Sequence, residues 1–256
     1  MRNLYDCHVH LNLSHYDDNR EQIINKCKKE LDFVINIGID EESSEKSILY
    51  SYKYDFIYAS IGIHPTNISE FNNKLESRLL EMGKEQKVVA IGEIGLDYHW
   101  MEDPKKRQIE VFEKQMEIAE KLNKPVIIHN RDADKDTLNV LEKFENRVKG
   151  VMHTYAGGIE MMEKLNKMGY YFSFSGPVTF KGKRSEFTRD VIKKTPIERI
   201  LIETDSPFLT PHPFRGKVNT PINVDYVASK IAEIKNIKKS NFLNIVRKNA
   251  EDIFGI

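Results

Sequence analysis

The stretch VVAIGEIGL, residues 88–96, reads as a strand with water on neither face. Apolar and β-branched residues run through it almost unbroken, where a half-exposed strand would alternate apolar with polar side chains. Seven other short runs share this character: LYDCHVH (4–10), FVINIGI (33–39), IYASIGI (57–63), PVIIHN (125–130), GVMHTY (150–155), YYFSFSG (170–176) and ILIETDS (200–206). Between them lie charged stretches such as NREQIINKCKKE, PKKRQIEVFEKQMEIAEKLN, DKDTLNVLEKFENR and GIEMMEKLNKMG, whose apolar residues recur at three-to-four spacing and predict helices. Eight buried strands alternating with helices over 256 residues predict an α/β fold, a (β/α)8 TIM barrel, rather than a doubly wound open sheet. NVDYVASKIAEIKN and SNFLNIVRKNAEDIFG add two C-terminal helices after the eighth strand. No Gly/Ser/Pro-rich linker and no repeat interrupts the pattern, so residues 1–256 read as a single domain.

The composition bounds what such a barrel does. Lys and Arg number 39, as do Asp and Glu, so no global positive field draws the chain to a polyanion and any such contact must be local. The apolar runs fall far short of the ~18 residues a membrane span needs, and the N-terminus lacks a charged segment leading into an apolar signal core. The expectation is a cytoplasmic protein without membrane contact. Two cysteines, Cys7 and Cys27, are too few for a disulfide scaffold or a thiolate zinc site and read as reduced thiols.

The chemistry gathers where the strands end. Alternation along the first strand puts His8 and His10 on one face and Cys7 and Val9 on the other, so that Cys7 is expected to face the helices. Alone, the His-x-His pair is as readily two hydrogen-bonded core histidines as two ligands. Other runs finish in the same kinds of group, however: His64 after ASIGI, Glu93 in VAIGEIGLDY, His129 in PVIIHNR, His153 in GVMHTY and Asp205 in ILIETDSP. The carboxyl ends of barrel strands converge on one face, and desolvating so many carboxylates and imidazoles there is costly unless a cation or mutual pairing compensates. A metal is the simplest compensation. Imidazole and carboxylate without thiolate suit Zn²⁺, Mn²⁺ or Fe²⁺ and admit Mg²⁺. Five or six ligands exceed one tetrahedral ion, which favours two ions sharing a carboxylate at a separation of ~3.5–4 Å.

Taken in order, DCHVHLN, SIGIHPTN, GEIGLDYH, KPVIIHNRDA, GVMHTYAGG, FSGPVTF, IETDSPFLTP and RGKVNTPINV resemble the TatD family of metal-dependent deoxyribonucleases, within the amidohydrolase-like barrels. The match runs from about Leu4 to Phe254. The resemblance implies one metal on His8, His10, Glu93 and Asp205 and a second on Glu93, His129 and His153, with Glu93 bridging and His64 on the substrate side. The chain departs from the family pattern at HTY (153–155), where relatives commonly read His-Cys-Phe, and at Cys7, where Ser or Thr is common.

Further residues are weighed individually. His64 is expected to donate a hydrogen bond to a phosphate or leaving oxygen. Asp205 lies nearer the mouth than Glu203 and is the better ligand and proton acceptor, leaving Glu203 to organise a ligand or pair with an arginine. Arg131, Arg215 and Asn219 are expected substrate contacts, the last two because barrels often bind phosphate near the eighth loop. His15, His99 and His212 are read as surface or loop residues. Tyr98, Trp100 and Phe214 either stack on unpaired bases or anchor loops. Of the basic runs KGKR (181–184) and IKNIKK (234–239), only the first is placed to reach a nucleic-acid backbone.

The resulting expectation is a hydrolase of DNA phosphodiesters, a 3′–5′ exodeoxyribonuclease on single strands or 3′ ends, with two divalent ions (Mg, Mn or Zn) and Asp205, Glu93 and His64 in catalysis. A same-fold hydrolase of another ester or amide, such as a mischarged aminoacyl-tRNA, is the rival, since fold and metals do not fix substrate. A non-catalytic metal-binding protein ranks behind both, because structural zinc sites are closed.

Overall fold

The computed structural model describes residues 3–101 and 103–256. Eight strands, β1 (Asp6–Val9), β2 (Val34–Ile37), β3 (Ile57–Ile61), β4 (Val88–Asp97), β5 (Val126–Arg131), β6 (Gly150–Met152), β7 (Tyr171–Phe174) and β8 (Ile200–Ile202), pair in chain order, every neighbour parallel. The sheet closes on itself just beyond β8. There Val9 bridges Ser206 in parallel, His10 N donates to Ser206 O at 2.8 Å, and Asp205 N donates to His8 O at 3.0 Å. The expected TIM barrel is therefore the fold, and its seam brings Asp205 beside His8 and His10.

Helices α1 (Arg20–Glu30), α2 (Glu41–Lys53), α3 (Asn73–Met82), α4 (Lys105–Leu122), α5 (Asp134–Lys143), α6 (Ile159–Lys167) and α7 (Lys183–Lys194) alternate with the strands, and α8 (Val224–Ile234) and α9 (Lys239–Phe254) follow β8. Each turns its apolar stripe inward: α4 buries Val111, Phe112, Met116 and Ala119, and α9 buries Phe242, Val246 and Ala250. α2 is an exception, burying Ser43, Ser44, Ser47 and Ser51, small residues that let it lie close against β2 and β3. No helix among the described residues is long and apolar enough to cross a membrane.

Several strands stop earlier than the sequence pattern predicts. β6 ends at Met152 and β8 at Ile202, so His153 and Asp205 stand on the loops that follow rather than in the strands. Backbone φ turns positive at Thr154 and Asp205, which ends the extended run and redirects the chain at the mouth.

The expected facing of Cys7 is corrected. Its Sγ lies 3.9 Å from Oε2 of Glu203, a buried carboxylate hydrogen-bonded to His153, so the thiol meets the polar interior rather than the helices. The pairing of β1 with β2 shifts register between Asp6 and Val9, and such a shift breaks the strict alternation on which the expectation rested.

Candidate metal centre at the mouth of the barrel

Glu93 stands at the centre of the cluster. Two residues on, Gly95 has φ +140° and lies so close to β5 that a Cβ would fall 2.0 Å from the carbonyl oxygen of His129. Only glycine permits that approach, and it presses β4 onto β5 so that Glu93 meets His129. The two carboxylate oxygens then face different partners. Oε2 is 3.3 Å from Nε2 of His8 and 3.8 Å from Nε2 of His10. Oε1 is 2.9 Å from Nδ1 of His129, 3.4 Å from Nε2 of His153 and 3.7 Å from Nε2 of His64. Asp205 Oδ1 closes the first side, 3.4 Å from His10 and 3.7 Å from His8. All seven of these residues, drawn from the ends of six strands, thus meet at one place.

A row of polar groups behind the cluster fixes the imidazoles. Asp97 Oδ2 is 2.9 Å from Nε2 of His129, and Glu203 Oε1 is 2.9 Å from Nδ1 of His153. Glu203 therefore pairs with a histidine and not with an arginine. It also accepts from Thr154 N at 2.7 Å, Thr154 Oγ1 at 2.5 Å and Ser173 Oγ at 2.5 Å. Thr154 and Cys7, two of the three residues that depart from the family pattern, therefore both touch this one carboxylate. Two buried glutamines of α4 hold the loop backbones: Gln108 exchanges hydrogen bonds with N and O of Asp97, and Gln115 does the same with Ile63, next to His64.

Asp97, Gln108 and Gln115 escaped the sequence reading. Asp97 was findable, since even spacing along β4 puts it on the face of Glu93. The glutamines carry no such signal.

Charge is balanced within the cluster. Burial alone would raise the carboxyl pKa of Glu93, but His153, His8, His64 and His129 hold it well below its ordinary value. Burial likewise opposes ionisation of Glu203, and His153 overrides it, bringing its pKa to about 2. For His153, burial disfavours the cation, while Glu203 and Glu93 raise its pKa to about 10. His129 is raised by Asp97 and Glu93 against the same penalty. His64 goes the other way, lowered to about 3 by burial and the nearby His129, so it is neutral at pH 7. Its Nδ1 lies 2.7 Å from Thr66 Oγ1 and accepts from the N–H of Thr66 at 3.3 Å, which leaves Nε2 as the atom facing the cluster.

The donor set fits divalent cations. Three groups, His8/Glu93/His153, His8/His10/Asp205 and His64/Glu93/His129, each have ligand atoms within 4.8 Å of one another. The Nε2 atoms of His8 and His10 face each other at 3.2 Å, and their buried Nδ1 atoms have no hydrogen-bond partner among the described residues. Imidazoles aimed together at two carboxylates are the N/O ligand chemistry of Zn²⁺, Mn²⁺ and related ions.

The expected substrate contacts divide. Arg131 is half-buried at the end of β5, its guanidinium 5.5 Å from the exposed Trp100 ring. Arg215 is exposed, 3.9 Å over the ring of Phe180. Asn219 is a correction: it is fully buried, its Nδ2 donating to Thr204 O and Phe208 O and its Oδ1 accepting from Thr220 N and Asn223, so it braces the eighth loop and presents nothing to a substrate. Tyr98 bonds Asp136, and Phe214 packs edge-on against Tyr226, so both anchor loops. Of the three aromatics, Trp100 alone stays largely exposed. His15, His99 and His212 lie outside the cluster: His15 packs edge-on against Phe208, His99 faces Asp132, and His212 lies against Phe180.

The chain is similar to known proteins over its whole length. The family model described as TatD-related DNase matches residues 5–255. YabD of Bacillus subtilis (strain 168), named as an uncharacterized metal-dependent hydrolase, is 43% identical over 255 residues, covering 99% of each chain. YcfH of Escherichia coli (strain K12), named likewise, is 40% identical over 203 residues, covering 79% of this chain and 75% of YcfH. Among solved structures, the TatD homologue YjjV of Escherichia coli K12 superposes with a TM-score of 0.92 at 25% identity over the whole of both chains.

Proposed function

The chain belongs to the family of TatD-related DNases, and from that premise we propose that it is a metal-dependent hydrolase of DNA phosphodiesters, acting in the cytoplasm as one domain and trimming single strands from their 3′ ends. The observation that carries this reading is the division of Glu93 between two sets of imidazoles. His8, His10 and Asp205 with Glu93 Oε2 would hold one cation, and His129 and His153 with Glu93 Oε1 a second. Divalent cations held there supply a Lewis acid for the phosphoryl oxygens and a water of lowered pKa.

The chain's own residues do the rest. Asp205, the most exposed of the carboxylates in the cluster, takes the proton of the attacking water. His64 stays neutral and points Nε2–H into the site, where it donates to a non-bridging or leaving oxygen; with Nδ1 already accepting, it serves as donor rather than ligand. Asp97 and Glu203 keep His129 and His153 in the tautomer that frees the other ring nitrogen for a cation. Arg131 and Arg215 flank the mouth and pair with phosphates on either side of the scissile bond.

The test is to incubate the purified protein, metals quantified, with end-labelled single-stranded DNA and, in parallel, with aminoacylated tRNA. Shortening of the DNA from its 3′ end, abolished by EDTA and restored by Mg²⁺ or Mn²⁺, is the expected result. In the same assay Asp205→Asn should cost ~10²–10⁴-fold in rate with a smaller loss of metal. Release of the amino acid with intact DNA would overturn the substrate, and full activity in stripped protein would overturn the metal mechanism.

A further inference from the structure

The loops that ring the mouth differ in charge from one side to the other. Those after β4 and β5, with the first turn of the helix that follows each, mix the carboxylates Asp103, Asp132, Asp134 and Asp136 with the cations Lys105, Lys106, Arg131 and Lys135. Those after β7 and β8, residues 175–185 and 206–224, carry Lys181, Lys183, Arg184, Arg215 and Lys217 and not one carboxylate. Acidic residues number 39 of 256 in the chain as a whole, so two rim segments of eleven and nineteen positions without any are a marked local bias. None of the five cations has a carboxylate partner among the described residues, whereas other surface lysines and arginines do, as in the pairs Lys46–Glu42 and Arg147–Glu120.

The basic side is also a single continuous edge. Arg215 lies on the ring of Phe180, His212 N donates to Thr179 Oγ1 at 2.9 Å, and Gly176 approaches Leu209 O so closely that a Cβ would fall 1.7 Å from it. The seventh and eighth loops are thus joined, and their cations lie along one edge. Lys183 and Arg184 occupy the first turn of α7, where the helix dipole disfavours positive charge. Helix stability therefore does not account for cations there. Between this edge and the cluster, the ring of Phe208 is 43% exposed and 6.2 Å from that of His10.

We propose that this joined edge is a track for the phosphate backbone of a single nucleic-acid strand, which leaves the cluster past Phe208 and runs over the loops after β7 and β8. A base beside the scissile phosphate stacks on Phe208, which an unpaired strand permits and a duplex does not. The phosphates beyond it meet Arg215, Lys217 and Lys181, whereas the loops opposite interrupt their cations with carboxylates and offer the backbone the poorer path. The substrate is therefore a strand several nucleotides long, and its gain in affinity over a dinucleotide comes from this edge. This inference rests on the phosphodiesterase reading above, and its test separates the two.

The experiment compares the metal-loaded protein with its Lys181→Glu/Lys217→Glu double variant on a dinucleotide and on a twelve-nucleotide single strand, with anisotropy of a fluorescein-labelled phosphorothioate twelve-mer read against salt. The expected result is a KM for the twelve-mer raised about tenfold more than that for the dinucleotide, kcat little altered, and a salt slope for binding shallower by about one per cation removed. Equal effects on both substrates, or an unchanged salt slope, would overturn the track. If the unsubstituted protein cleaves neither substrate yet binds the twelve-mer with a salt slope that the double variant flattens, the track stands and the phosphodiesterase reading falls. If it neither cleaves nor binds, both fall.

Discussion

The carboxylate of Asp97 stands 2.9 Å from Nε2 of His129 while the other ring nitrogen of that histidine stands 2.9 Å from Glu93. The imidazole is held between two acids, one behind it and one within the cluster. Asp97→Asn removes the charge behind the ring and lets the amide present N–H where an acceptor is needed. Outer partners of this kind are worth ~10–100-fold in metal affinity. Titration of the variant with Zn²⁺ or Mn²⁺ should therefore show one class of site weakened by that factor and the other unchanged. Equal weakening of both would mean that Asp97 supports the fold at large rather than His129.

Metal uptake should expel protons. Although burial disfavours its cation, His153 is held protonated up to about 10 by Glu203 and Glu93, and His129 is raised by Asp97 and Glu93. In the metal-free protein at pH 7 the His153 ring carries its second proton, and a cation that takes Nε2 of His153 must displace it, so affinity falls as pH falls. Calorimetric titration of EDTA-stripped protein in buffers of different ionisation enthalpy should give at least one proton released per chain. A heat independent of buffer would contradict the pairing described.

Gln115 bridges both backbone polar groups of Ile63 from inside α4. Gln115→Leu keeps the volume and strips the partners from a buried N–H and C=O, each loss costing ~1–3 kcal/mol. Urea unfolding should show a loss of ~2–6 kcal/mol for the two groups together, with kcat falling as well because His64 follows directly on Ile63. A variant as stable as the parent would show that water or a relaxed loop satisfies those groups.

Thr154 and Cys7 meet on Glu203, one through a hydroxyl and one through a thiol. Thr154→Cys alone weakens the support of Glu203, and Cys7→Ser returns a hydroxyl donor to the other oxygen. In a double-mutant cycle read by thermal unfolding, the pair should be coupled by ~0.5–3 kcal/mol, the double variant lying nearer the parent than Thr154→Cys does. Strict additivity would mean the two contacts act independently.

How much of this was legible in the sequence follows from where each residue stands. The barrel was readable because VVAIGEIGL and its seven counterparts lack alternation, and its cluster because His10, Glu93, His129, His153 and Asp205 fall at or near the carboxyl ends of such runs. Cys7 was misplaced because a register shift in β1 defeats the two-residue period, which no local pattern announces. Asn219 was misread because the polar loop RGKVN looks like a binding surface, when the amide is spent on bracing the loop from within. Gln108 and Gln115 were invisible because a glutamine on an otherwise charged helix reads as solvent-facing, and only the tertiary fold brings backbone groups to it.

The central claim is that Glu93 joins two cation sites built from different histidines, and metal content per chain tests it most directly. Elemental analysis of the parent, His8→Ala and Glu93→Gln, each checked for folding by circular dichroism, should give about two equivalents, about one, and fewer than one, since only Glu93 serves both sides at the two-ion separation of ~3.5–4 Å. Parent-like metal content in His8→Ala, or the loss of a single equivalent in Glu93→Gln with the second site intact, would contradict it.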